Sequence, residues 1–228
     1  MRIAKQTPAN TNVRPAPAAN TNVPKAANDS TAVTNPFIDY GRGAAGRNFV
    51  GDLLLFSKFG EFTFGLDRND MPLGTQLAAH MDAFCIGWQR WEDNKPVETI
   101  MGPVAQGFIP PKRDTLGYLD KTWWETFDDG RPKDPWTFTN TLVLSSVEDE
   151  PRFYTFSTTS KGGIRALAKL SLRHGERHRM KAGEIPIITI NRGSYPHPDK
   201  SIGEVRVPVF TVVKWVPDDT LPPIEGGV

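Results

Sequence analysis

Short apolar runs broken by turn residues recur along the chain, and their period is close to two, the spacing of half-buried strands. Residues 52–56 and 61–64, split by Lys58-Phe59-Gly60, predict a hairpin or one long strand bent at Gly60, with Phe62 and Phe64 on one face. Residues 83–91 and 97–101 flank the turn Glu92-Asp93-Asn94-Lys95. In the first of these runs Phe84, Ile86 and Trp88 point one way, and Cys85 and Gln89 flank Gly87 on the other. Residues 137–146 and 152–157 pair around the acidic turn Glu148-Asp149-Glu150. Residues 185–190 and 205–216 close the chain as two more strands around a loop rich in Asn, Gly, Pro and His. The period changes once. After the turn Ser157-Thr158-Thr159-Ser160, Ile164, Leu167 and Leu170 form the buried stripe of a helix, and Gly175 is expected to interrupt it.

Three strand regions, one helix and two closing strands make a mainly β fold, a β-barrel of OB-like order with one principal α-helix. Other small barrels with one helix produce the same order. The predicted domain spans 37–216, with a Pro- and Gly-rich excursion at about 102–135. Residues 1–36 hold five prolines among Ala, Asn and Thr and repeat ANTNV at 9–13 and 19–23, so they are expected to be a disordered arm. Residues 217–228 carry Asp218, Asp219 and Glu225 with no base and are expected to be a flexible acidic tail.

A content of 38% hydrophobic and 10% aromatic residues is enough for one core, and the lone Cys85 rules out an internal disulfide. The opening MRIAKQTPANTNV lacks the apolar core of a signal peptide, and no apolar run is long enough to cross a membrane as a helix. A soluble protein of the cytosol is expected, with no membrane contact.

Charge makes the helix the feature of greatest interest. Lys161, Arg165, Lys169 and Arg173 recur every four residues and therefore share one side. Across 160–181 these four, with Arg177, Arg179 and Lys181, are answered only by Glu176, although the whole chain has a net charge of +1. A polyanion is the natural partner of such a row, against the plainer reading of a wet helix face. The turn before the helix suits either a bound phosphate or an ordinary Ser N-cap. Stacking on exposed aromatic rings supplies the other half of single-strand recognition. The candidates are Trp88 and Trp91 beside Arg90, and Tyr154 and Phe156 beside Arg152, with Tyr195 in the closing loop. If the helix caps the barrel end, Arg90, Arg152, Lys112 and Arg113 become the better phosphate contacts. The pair Trp123-Trp124 and Trp136 read as packing anchors.

Little else carries chemistry. Gly41 to Gly46 spells GRGAAG, but it follows the arm and precedes a strand, the wrong context for a dinucleotide loop; Arg42 and Arg47 read as cations on an entry loop. His174 and His178 lack the H-E-x-x-H pattern, and Asp199 with Glu204 is a loose echo of a nuclease's carboxylates. No catalytic residue, cofactor or metal ligand is expected.

From 84 to 216 the chain resembles a group of proteins from tailed phages and prophages, through GWQRW at 87–91, DPW at 134–136, YTFSTTSKGG at 154–163, IPIITINRGSYPH at 185–197 and GEVRVPVFTVVKW at 203–215. Some members are similar in organisation to phage single-stranded DNA-binding proteins of OB type. The resemblance implies a role in phage DNA replication or recombination in the host cytoplasm. The acidic tail is similar in composition to the tips by which single-strand binders recruit replication or recombination proteins, although it ends in Gly-Gly-Val without the usual terminal aromatic, and self-association is a further expectation. The alternatives are a virion or assembly protein and a nucleic-acid-processing enzyme.

Overall fold

A computed structural model describes residues 49–201, 203–221 and 224. The arm over 1–36, the GRGAAG loop and half of the tail (222, 223 and 225–228) lie outside the described residues. Eleven strands and one α-helix follow in order: β1 (Asp52–Phe56), β2 (Phe62–Phe64), β3 (Asn69–Met71), β4 (Gln76–Glu92), β5 (Lys95–Pro103), β6 (Glu125–Thr126), β7 (Pro132–Lys133), β8 (Trp136–Ser146), β9 (Phe153–Thr158), α1 (Lys161–Met180), β10 (Glu184–Pro196) and β11 (Glu204–Pro217). The chain is mainly β with one helix. Nine of the strands form one curled sheet in the order β11-β10-β4-β8-β9-β1-β2-β3, with β5 also paired to β4, and β6 and β7 form a separate small hairpin.

Strands β4, β8 and β9 form an antiparallel meander, and β10 returns after α1 to lie beside β4. With β5, β6 and β7 counted as an insertion between β4 and β8, the spatial order β10-β4-β8-β9 is that of a Greek key, a fourth strand brought back beside the first. On the far side β1 pairs with β9 in parallel.

The axis of the fold is β4. Opposite β8 its register passes from His80↔Val143 to Cys85↔Thr141, so Met81, Asp82, Ala83 and Phe84 face Leu142 alone. Such a bulge bends the strand. On its other edge β4 pairs with β10 through Gln76, Leu77 and Ala78 and with β5 from Cys85 to Glu92, so it changes neighbours at the bend. The turn from β4 to β5 places Asp93 and Asn94 at positive φ, 49° and 60°, as a two-residue type I′ hairpin requires.

The core lies inside the curl: Leu54, Phe62, Phe84, Leu142, Leu144, Tyr154, Phe156, Ile188 and Ile190 are buried together with Leu167 and Leu170 of α1. Phe210 of β11 stacks edge-on against Phe156 at 5.2 Å, which ties the β10–β11 hairpin across to the opposite wall. Helix α1 packs mainly against β11. It does not stop at Gly175 but continues to Met180. Residues 218–220 form a 3-10 turn whose Asp218 N–H donates to Gly183 O, so the start of the tail packs onto the body. Among the described residues no helix is long and apolar enough to cross a membrane.

Candidate nucleic-acid interface

The helix begins where its sequence calls for a cap. Ser160 Oγ accepts the Gly163 N–H at 3.0 Å, and Gly163 lies so close to Thr158 that a β-carbon would collide with the threonine hydroxyl. The cap thus uses the first-turn amide that a phosphate would need. Leu167 and Leu170 fix the rotation of α1 by entering the core, which leaves Lys161, Arg165, Lys169 and Arg173 exposed on the opposite side. Twelve residues of helix make this row about 18 Å long. Among the described residues none of the four has an acidic partner within ion-pair distance.

The cations at the end of α1 are used differently. Glu184, buried at the start of β10, accepts Arg177 at 2.6 Å and Lys181 at 2.7 Å. Those two hydrogen bonds hold its carboxyl below the usual glutamate range.

The row starts beside other cations. Gly162 abuts Val207 of β11, so Lys161 lies next to the β10–β11 arm that carries Arg192 and Arg206. The β1–β2 turn approaches the same arm: a β-carbon on Gly60 would lie 3.0 Å from Arg192 Cδ and 3.3 Å from Arg206 Cγ. That turn exposes Phe59 by 65%, with Lys58 Nζ 5.2 Å from its ring. Tyr195, on strand β10 and not in the loop, is 40% exposed. Lys58, Phe59, Arg192 and Arg206 were missed from the sequence because they come from three separated segments, and no local spacing marks them.

The aromatic candidates divide. Tyr154 (7% exposed) and Phe156 (0%) are core residues and offer no stacking face, because both alternate inward along β9 against Leu144 and Leu142. Arg152 pairs with Asp52 at 2.6 Å and covers the Phe64 ring, so its charge is already answered. Arg90 is held by Glu92 and Glu98 and lies over the Tyr118 ring at 4.7 Å. Arg113 makes three hydrogen bonds to Asp134. Of the alternative phosphate contacts only Lys112 has no acidic partner among the described residues. Trp88 is half-buried, with its Nε1 donating to Pro111 O at 2.9 Å and its ring edge-on to Phe138. Trp91 lines an open pocket with Tyr118, Trp123 and Trp124. Trp136 is buried, as a packing anchor should be, whereas Trp123 is 72% exposed. The fold does not bring the helix row and Trp91 together. His174 and His178 of α1 line a cavity at Ala83, and Trp91 lies eight residues further along β4, about 26 Å of extended strand.

That cavity, of about 830 Å³, opens at the β4 bend among His80, Asp82, His174, His178, Asp218 and Asp219. His80 Nε2 is 2.9 Å from Ser145 Oγ, and burial lowers its pKa against the opposing pull of Asp82. Burial, then His178, lowers that of His174. Among the described residues no three His, Cys, Asp or Glu side chains are grouped to hold a metal ion. Asp199 accepts the Ser201 N–H and hydroxyl, and Glu204 pairs with Arg206, so each serves its own loop.

Comparison of the chain with protein families, with curated proteins and with solved structures finds no match.

Proposed function

We propose that this protein binds single-stranded nucleic acid, with single-stranded DNA as its ligand, and carries out no chemistry on it. The observation that carries the reading is the row Lys161, Arg165, Lys169 and Arg173, exposed and without acidic partners while Arg90, Arg113, Arg131, Lys133 and Arg152 on the sheet and its loops are all ion-paired. Binding a phosphate backbone releases counterions from it, and unpaired cations can do so without first breaking a bond within the protein. The Greek-key order supports an OB-like barrel: the meander β4-β8-β9, then α1, then the hairpin β10–β11, with β1, β2 and β3 added at the β9 edge. On that reading the excursion after β4 and the loop after β10 occupy the positions of the two ligand-binding loops of such barrels. A role in phage DNA replication or recombination, in a bacterial cytoplasm, follows from the resemblance in sequence.

Fluorescence anisotropy with labelled single- and double-stranded oligomers over a salt series tests the reading. Micromolar or tighter binding to the single strand is expected. Changing Arg165 and Lys169 together to Ala should flatten the slope of log K against log salt by up to about 1.4 if both touch phosphate. No binding at low salt refutes the function, and an unchanged slope in the variant removes the helix from the interface.

A further inference from the structure

The excursion between β5 and β8 builds a small aromatic pocket against the outer end of β4, and we propose that it receives a single unstacked nucleobase. The ligand class rests on the single-strand reading; the site itself is independent of the helix. A volume of about 350 Å³ is at the small end for ligand pockets and suits one ring system and not a run of them. Trp91, Tyr118, Trp123 and Trp124 supply its aromatic surfaces.

These surfaces are held in place without a ligand. Trp124 Nε1 donates to Tyr118 O at 2.7 Å, and the Trp91 N–H donates to Pro135 O at 2.9 Å. Arg113 is bonded to Asp134 at 2.7 and 2.8 Å, to Gly117 O at 2.8 Å and to Tyr118 O at 3.2 Å, and its guanidinium lies 5.7 Å from the Trp124 ring. Arg90 lies over Tyr118. Preorganised walls reduce the ordering cost of binding. Trp123 stands at the rim with most of its indole in water.

Charge selects the occupant. Three of the acids in the lining are already answered: Glu92 by Arg90, Glu125 by Lys133 and Asp134 by Arg113, which leaves Asp93. The one cation in the lining, Lys133, is committed to Glu125. Asp93 is exposed on the hairpin turn, so the walls offer no buried free charge to hold a cation, and no free cation to seat a phosphate. A neutral planar ring fits, stacked on indole and hydrogen-bonded at its edge by Asn94 or Thr137. Phosphates on either side would remain outside, where Lys95, Lys112 and Lys121 have no acidic partner among the described residues, Lys121 being 5.9 Å from the Trp124 ring.

The test uses the full chain in two arms. In the first, adenosine and thymidine are titrated while the indole N–H resonances of Trp91, Trp123 and Trp124 are followed by NMR; shifts confined to these three are expected. In the second, anisotropy compares a thymidine oligomer with an abasic strand of equal length for the wild type, Trp123→Ala and the double variant Arg165→Ala, Lys169→Ala. The wild type should prefer the base-bearing strand by roughly 5- to 150-fold, the range of one stacked base. Trp123→Ala should lose that preference and keep the salt slope, whereas the helix variant should keep the preference and lose slope. Trp123 is exposed enough that its removal leaves the fold intact. The pocket is overturned if the nucleosides move none of the three resonances, or if Trp123→Ala keeps the full preference for bases. Indole shifts with nucleosides, combined with no binding of any oligomer, would end the single-strand function and leave the base site standing.

Discussion

His80, on β4 with its Nε2 against Ser145 of β8, and His174, facing the same cavity from α1, both have pKa values lowered below the ordinary imidazole value of about 6.5 by burial. His178 adds to the lowering at His174, while Asp82 opposes it at both rings. Asp218, Asp219 and the ion-paired Glu184 also line this cavity. A depressed imidazole is neutral in the folded chain and takes up its proton more readily once unfolded. Its contribution to stability is therefore complete above about pH 6.5 and is lost as pH falls through the lower, folded value. Urea unfolding between pH 7.5 and 5.0 should show a plateau followed by a fall of at most about 1.4 kcal/mol per pH unit for each histidine. The variant His174→Gln should flatten part of that fall. Stability that is level down to pH 5.0 in the wild type would show that neither ring is held neutral.

At the scale of the element, α1 runs through Gly175 because its last turns are anchored from outside. Arg177 and Lys181 reach Glu184, and Arg177 and His174 lie against Trp215. Those contacts offset a glycine that costs about 1 kcal/mol relative to alanine inside a helix. A β-carbon at Gly175 meets nothing within 4 Å, so Gly175→Ala should stabilise the protein by about 0.5–1 kcal/mol in denaturant titrations. Leu170→Ala, which opens a hole in the core, should cost about 2–5 kcal/mol. A destabilising Gly175→Ala would mean that the helix is broken there. The helix and its cation row were legible because a period near four is a local property. The first half of β4 was not, since Leu77, Ala78, Ala79 and His80 have weak strand propensity and are held in the strand by pairing with β8, and at Leu77 and Ala78 with β10 as well. Arg152 and Arg90 misled for a related reason. Asp52, the partner of Arg152, lies a hundred residues away, and Arg90 is paired with Glu98 of the neighbouring strand besides Glu92 of its own. Nothing in the spacing of Tyr118, Trp123 and Trp124 announced that the excursion folds back onto Trp91.

Over the whole molecule, 27 basic and 26 acidic residues nearly cancel, yet the two signs are not evenly mixed. Acids are concentrated in the excursion and at the ends of the β4–β5 hairpin, where they lock Arg90, Arg113, Arg131 and Lys133 and leave only Lys95, Lys112 and Lys121 without a partner among the described residues, whereas α1 carries an unbroken row of unpaired cations. The same division should govern local stability. β4 is paired on both edges at 77–78 and 85–90, and β8 at 140–141 and 143–145, and the two strands contribute Leu77, Ala79, Leu142 and Leu144 to the core, so the amides of these stretches should open only with global unfolding. Residues 107–135 hold only short turns and the β6–β7 hairpin, and outside the aromatic pocket they are fastened mainly by exposed ion pairs worth little each. Native-state hydrogen exchange should therefore rank the β4 and β8 amides slowest and those of 107–135 fastest, with the Trp91 N–H, bonded to Pro135 O, lying between. Exchange in the excursion as slow as in β8 would show that the pocket walls belong to the cooperative core. Fast exchange that slows when an oligomer binds would place the nucleic-acid contact on the least stable part of the fold.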